Sequence, residues 1–199
     1  MRIAAITGCS VVGIDAHEGA IATAQSLSTE RRFADQAQFR VGDAAGQLPF
    51  PDSNFDAITR IDAINHLPER SRILGEWTRL LKPGGRLLFT DPITVTGPLT
   101  NAEAAVRSAS GFYLFVPPGY DERVIAECGL RLTVCENATA NMAKVAEARR
   151  GARELRSVDL REIEGSAAYE RQQDFLTVAA RLAKEGRLSR FAYVSKKLD

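Results

Sequence analysis

One stretch, PFPDSNFDAITRIDAINHLPERSRILGEWTRLLKPGGRLLFTD from Phe50 to Asp91, constrains the fold more than any other. It spells loop, strand, amphipathic helix, glycine turn and strand. Phe55–Ile61 is short and largely apolar, as a buried strand is. Pro68 stands where a helix opens, because its missing N–H costs nothing in a first turn. Ile73, Leu74, Trp77, Leu80 and Leu81 then recur at i, i+1, i+4, i+7 and i+8. That spacing predicts one apolar stripe of a helix packed on a sheet. Pro83-Gly84-Gly85 stops the helix, and Arg86–Thr90 returns as a second buried strand.

The rest of the chain repeats the alternation. Arg2–Ile6 reads as the last turns of a helix capped by Gly8. Cys9–Asp15 is a continuous apolar strand of the kind buried in parallel sheets. His17–Arg32 is a helix with Ile21, Ala24 and Leu27 on its inner face, and Gln38–Asp43 is a further strand. Asp121–Cys128 is a short helix closed by Gly129, and Arg131–Glu136 is a strand. Two charged amphipathic helices are expected over Ala140–Leu160 and Ser166–Glu185, and Ser189–Lys196 is the final strand, antiparallel near Phe89. Strands alternating with helices predict an α/β fold, a doubly wound, mostly parallel sheet with sites at the carboxyl ends of its strands. We expect a single domain over residues 1–199 with two inserts, 92–120 and 140–186, as a substrate lid.

Composition narrows the function classes. With 45% hydrophobic and 26% charged residues the chain is globular, and its net charge of +1 offers no field for nucleic acid or an anionic membrane. The basic run Arg149, Arg150, Arg153, Arg156 alternates with Glu147 and Glu154, a solvated helix face. Cys9, Cys128 and Cys135 have no metal-like spacing and are expected to be buried, reduced thiols; no metal site is expected. No apolar run reaches membrane-spanning length and no signal-peptide pattern follows Met1-Arg2, so the cytoplasm is the default location.

Acids end two consecutive strands. A carboxylate at Asp15 can accept hydrogen bonds from both ribose hydroxyls of a nucleoside, or it can cap the helix beginning near His17. Asp43, after Gly42, is either a second binding acid or a plain loop residue. His66, in RIDAINHL, is a candidate base, since a neutral imidazole can take a proton from an ammonium near neutral pH. It can equally serve only to order the loop before Pro68. His17 is a surface residue at a helix start.

The Phe50–Asp91 stretch resembles the fourth strand, following helix and fifth strand of the class I S-adenosylmethionine-dependent methyltransferases, with LKPGG its most specific element. The Asp62-Ala63-Ile64-x-His66-Leu67 run is similar to that of the phosphoethanolamine N-methyltransferases and other small-molecule N-methyltransferases. It departs at Ile61, where that group has an arginine; here the arginine is Arg60. The resemblance implies a Rossmann-like methyltransferase fold, S-adenosyl-L-methionine as cofactor, and methyl transfer to a small-molecule acceptor, an amine among the candidates. It implies cofactor-binding roles for Asp15, Ala16, Asp43, Ala44 and Ile61, with Asp43 accepting from the adenine amino group and the Ala44 N–H reaching a ring nitrogen. It implies catalytic roles for His66 and Asp62. The aromatic segment Phe112–Tyr120 can form a cation–π wall for an amine or simply pack as core.

The family's first strand and Gly-x-Gly loop, which let the backbone approach the cofactor's methionine part, precede the strand matched by Cys9–Asp15. Neither fits Met1–Gly8. The sheet is therefore expected to lack its first strand, leaving Cys9–Asp15 facing a gap or paired directly with Phe55–Ile61. Open edges of this kind invite association, a homodimer included, and cofactor affinity of the chain as it stands is expected to be poor. Two alternatives compete: a non-catalytic methyltransferase homologue acting as a binding or assembly subunit, and a nicotinamide-dependent Rossmann oxidoreductase. The second leaves LKPGG unexplained and finds no Gly-x-Gly-x-x-Gly here.

Overall fold

The computed structural model describes residues 2–109 and 111–198, which divide into two compact units, Met1–Phe50 and Pro51–Asp199.

The first unit is α1 (Arg2–Thr7), β1 (Val11–Asp15), α2 (Glu18–Glu30) and β2 (Ala37–Val41). Gly8 ends α1 in the left-handed conformation (φ +72°), its N–H returning to Ala4 O. β1 and β2 pair in parallel, Val11 opposite Ala37 and Asp15 opposite Val41. Ile21 of α2 is buried, with Ala24 and Leu27 half-buried beside it. β1 starts two residues later than expected and is half-buried rather than buried, in a two-stranded sheet with β2.

The second unit begins with β3 (Phe55–Arg60), a 3₁₀ turn over Ile64–His66, and α3 (Arg70–Leu80). β4 (Leu81–Val95), α4 (Asn101–Arg107), α5 (Tyr120–Glu127) and β5 (Leu130–Asn137) follow, then α6 (Thr139–Glu154), α7 (Ser157–Glu164), α8 (Ser166–Lys184) and β6 (Leu188–Lys197). Its sheet has the order β3-β4-β6-β5. β3 is parallel to β4, while β6 runs antiparallel to both β4 and β5, so β3, β4 and β5 share one direction. Phe89 faces Tyr193 across the β4–β6 pair, the expected place for the last strand.

The α3 stripe behaves as its spacing predicts: Ile73, Leu74, Trp77, Leu80 and Leu81 are each at most 2% exposed. The helix starts at Arg70 rather than at Pro68, with Glu69 as its N-cap. Both glycines of LKPGG are required there. Gly84 sits at φ +73°, and a Cβ on Gly85 would lie 2.8 Å from Lys82 O.

Three expectations need correction. β3 has no fully buried residue: it is the edge strand of the second unit's sheet, where it pairs with β4. The thiols are not buried: Cys9 precedes β1 and Cys135 lies on the edge strand β5, both exposed, and Cys128 is half-buried. The helix expected over Ala140–Leu160 breaks at Leu155-Arg156 into α6 and α7, where Arg153 reaches forward to Glu164 with two hydrogen bonds of 3.1 and 2.6 Å. The 92–120 insert is also more ordered than its Pro/Gly content suggests. β4 runs on to Val95, Thr94 bridges to Val116, and Thr100 and Glu103 close a capping box over α4. No helix among the described residues is long and apolar enough to cross a membrane.

Candidate functional site

The candidate residues fall in both units. In the first, Asp15 and Asp43 stand just at or beyond the carboxyl ends of two neighbouring parallel strands, and the Gly42 N–H donates to Asp15 O at 3.0 Å, tying the two strand ends together. Each aspartate uses one oxygen in the same way. Asp15 Oδ1 accepts from the His17 N–H and Asp43 Oδ1 from the Ala45 N–H, both at 2.8 Å. Both side chains are exposed and their second oxygens carry no bond among the described residues. Asp15 therefore orders the entry to α2, but the N-cap itself is His17, whose Nδ1 accepts from the Ala20 N–H at 3.1 Å. Ala16 is exposed and Ala44 half-buried in the loops that follow the two strands.

In the second unit β3 delivers Ile61 and Asp62 at its end. Ile61 is 57% exposed, a large apolar side chain facing outward. Asp62 takes the left-handed conformation (φ +48°), a strained state for a residue with a side chain and one that clusters at sites. The strain is held by three bonds. The Asp62 N–H donates to Thr90 Oγ1 (2.7 Å), Thr90 Oγ1 donates to Asp62 Oδ1 (2.6 Å), and Arg190 Nε donates to the same oxygen (2.9 Å).

Four residues on, His66 is exposed but fixed in orientation. Its Nδ1 lies 3.0 Å from Phe112 O, and its ring meets Tyr113 edge-on at 4.4 Å between centroids. A carbonyl oxygen can only accept, so Nδ1 carries the proton and Nε2 of the neutral ring is the basic nitrogen. The insert thus sets the tautomer of the candidate base. Asn65 next to it is buried; its backbone oxygen accepts from the Leu114 N–H at 2.8 Å, while its Oδ1 has no partner among the described residues.

Sequence reasoning missed the group that anchors this loop. Arg70, fully buried, donates from Nη1 to Asp91 Oδ2 and Asp121 Oδ1, both at 2.6 Å, and from Nη2 to Leu114 O at 3.1 Å. One guanidinium therefore joins α3, β4, α5 and the aromatic segment. Burial lowers the guanidinium pKa, but the two carboxylates more than offset this and hold it charged. Burial raises Asp121 to about 7, against the pull of Arg70, with Asp91 adding to the rise. Glu103, bonded to Arg187 and to Thr100, is held down at about 2 and secures α4 against the start of β6. Among the described residues no three His, Cys, Asp or Glu side chains gather as metal ligands.

Residues 1–89 match the family model of the methyltransferase domain. The 27-O-demethylrifamycin SV methyltransferase of Amycolatopsis mediterranei is 27% identical over 161 residues, 77% of this chain and 59% of that protein. The dimethylglycine N-methyltransferase of Parasynechococcus marenigrum is 43% identical over 63 residues, 31% of this chain and 22% of that protein. The solved structure of Haemonchus contortus phosphoethanolamine N-methyltransferase 2, in complex with phosphomonomethylethanolamine and S-adenosylhomocysteine, shares the fold: TM-score 0.88 at 20% identity, over 100% of this chain and 46% of that one. The chain spans less than two thirds of the length of the curated relatives it matches.

Proposed function

We propose that the protein, whose residues 1–89 match the family model of the methyltransferase domain, transfers a methyl group from S-adenosyl-L-methionine to a small-molecule acceptor whose nucleophile is an amine. The observation that carries this reading is the pair of strand-end carboxylates. Asp15 ends β1 and Asp43 stands two residues past the end of its parallel neighbour β2, each with one oxygen fixed by a backbone N–H and the other open. That is what a nucleoside needs, hydroxyls and an amino group being donors that a half-committed carboxylate accepts without rearranging. Asp15 would take the ribose hydroxyls, Asp43 the adenine amino group and the Ala44 N–H a ring nitrogen, with Ala16 supplying contact surface.

The bound cofactor supplies an electrophilic methyl group on a sulfonium. The chain's own residues then align and deprotonate. His66 Nε2 accepts the proton that an ammonium acceptor must lose before its lone pair can attack, while Phe112 O holds Nδ1–H in the tautomer that makes this work. Asp62, locked by Thr90 and Arg190, presents a fixed negative edge toward the cationic nitrogen. The inserts that carry Phe112, Tyr113 and helices α6–α8 form the lid over the acceptor.

The test is calorimetric titration of the protein with S-adenosylhomocysteine, followed by transfer of labelled methyl from S-adenosylmethionine to a panel of primary to tertiary amines and matched alcohols. Saturable binding that Asp15→Ala weakens, with transfer to amines, supports the reading. Binding indifferent to both Asp15 and Asp43 sinks it.

A further inference from the structure

A buried ion cluster is a weak device for stability alone, because desolvating the charges costs about as much as their attraction returns. What such a cluster holds in place is therefore the sharper question. The guanidinium of Arg70 satisfies Asp91 and Asp121 from Nη1, and its other arm leaves the regular elements altogether. Nη2 donates to Leu114 O at 3.1 Å, in a run, residues 112–115, that forms no helix or strand.

The course of that run is set by the bonds it makes, and Leu114 spends both of its backbone groups. Its N–H donates at 2.8 Å to the oxygen of Asn65, in the 3₁₀ turn that carries His66, and its carbonyl accepts from Arg70. The two groups that meet His66 lie just ahead on the same run. They are Phe112 O, 3.0 Å from Nδ1, and the Tyr113 ring, edge-on at 4.4 Å. One short stretch of backbone thus joins the buried guanidinium to the candidate base. An arginine suits this task, since its planar fork reaches the carboxylates with one nitrogen and the carbonyl with another, where a lysine ammonium is a single point.

We propose that Arg70 is a positioning residue for the base. By holding Leu114 O it keeps the Phe112 carbonyl on His66 Nδ1, and so fixes the tautomer whose Nε2 is open to a proton. That Nε2 takes this proton during methyl transfer rests on the reading above; the tautomer itself does not. The chain carries its own control. His17, the other of its two histidines, accepts from the Ala20 N–H through Nδ1 at 3.1 Å, so its proton belongs on Nε2. The two neutral rings are opposite tautomers, and only that of His66 is tied to Arg70.

Carbon and nitrogen NMR of the histidine-labelled protein separates the two neutral tautomers and the cation. His17→Asn assigns the signals, and base is added until no cation remains. In the wild type His66 should carry Nδ1–H and His17 Nε2–H. Arg70→Lys keeps a buried cation between Asp91 and Asp121 but loses the fork, and His66 should then become a mixture of tautomers while His17 stays as it was. Arg70→Met should shift His66 further; if it does not fold, Arg70→Lys decides. A His66 signal in Arg70→Lys identical to the wild type overturns the proposal, and so does a wild-type His66 protonated on Nε2. The kinetic counterpart is a double-mutant cycle on methyl transfer to an amine. Arg70→Lys should lower kcat by about 10- to 100-fold when His66 is present, the loss a misplaced group brings, and by less than about 2-fold in a His66→Ala background. An arginine that only supports the fold would slow both backgrounds alike, which also overturns the proposal. If no amine is methylated, the methyltransferase reading fails, and the tautomer measurement still decides what Arg70 does.

Discussion

The two units treat their carboxylates in opposite ways. In the first, Asp15 and Asp43 are exposed, and each gives one oxygen to a backbone N–H two residues ahead. In the second, Asp91 and Asp121 are buried on Arg70, and Asp91 spends its other oxygen on the Ile93 N–H at 3.0 Å. An acid held on one side only can exchange water for a ligand's hydroxyl at small cost. An acid clamped by a buried guanidinium cannot, and its energy goes into fixing the elements it joins. Position at a strand end therefore does not by itself mark a binding acid; what matters is which oxygen the fold leaves open.

The sharpest way to break this contrast is to remove the clamp. Arg70→Met keeps most of the side-chain volume but strands two buried carboxylates. Breaking a buried ion pair from one side costs about 3–5 kcal/mol, and that loss is expected in urea unfolding, together with a lower melting temperature. The same change made to an exposed, singly bonded acid in the first unit should cost far less. A variant as stable as the parent would mean that Arg70 is not the anchor of the His66 loop. Close behind in size is His66→Ala, expected to lower turnover by about 10²–10⁴-fold, the worth of a positioned base. S-adenosylhomocysteine binding should hardly change in the variant. Unchanged turnover would leave the histidine a packing role on Tyr113.

Much of this was legible in the chain. The stripe from Ile73 to Leu81, the two glycines of LKPGG and the strand-end acids are local patterns, set by residues within a turn or two of one another, and they stand where the spacing put them. What escaped depends on distant partners. Arg70 follows Pro68-Glu69 in a polar run that reads as surface, and only Asp91 and Asp121, 21 and 51 residues away, bury it. The exposure of β3 likewise follows from its place at the sheet edge, which no residue within it encodes. Helix α4 is a different kind of miss. Thr100-x-x-Glu103 is a legible capping box, hidden by the Pro and Gly residues around it.

A smaller effect tests the open-oxygen side of the contrast. Asp15→Ala should weaken S-adenosylhomocysteine binding by about 1–3 kcal/mol, through loss of charge-assisted hydrogen bonds to the ribose. Turnover at saturating cofactor should stay near the parent's, because Asp15 is assigned no part in the proton transfer. Asp15→Asn should recover part of the affinity, as its amide oxygen can still accept. If alanine lowers only the melting temperature, the carboxylate is a helix-entry residue and nothing more.

The smallest expected effect reads the clamp through its proton. Asp121 is raised to about 7 in the folded protein from an ordinary value of 3.8, first by burial, with Asp91 opposing its ionisation and Arg70 favouring it. The sign follows from proton counting. Well below the unfolded value both states are protonated, and the contribution to stability is fully present. Between the two values the folded chain keeps a proton that the unfolded chain has released, so stability falls as pH rises, and the contribution is gone above the folded value. Three groups share the charge, so the loss should be smaller than the full shift implies: about 1–2 kcal/mol between roughly pH 5 and pH 7. Asp121→Asn cannot ionise and should lack this slope while keeping a bond from Arg70 to its amide oxygen. The measurement is urea unfolding of both proteins across that range, with the difference plotted against pH. A difference that falls with pH places the proton on the buried clamp. A flat difference means that Arg70 holds both carboxylates ionised throughout, and the second unit's acids would then be fully paired rather than sharing one proton.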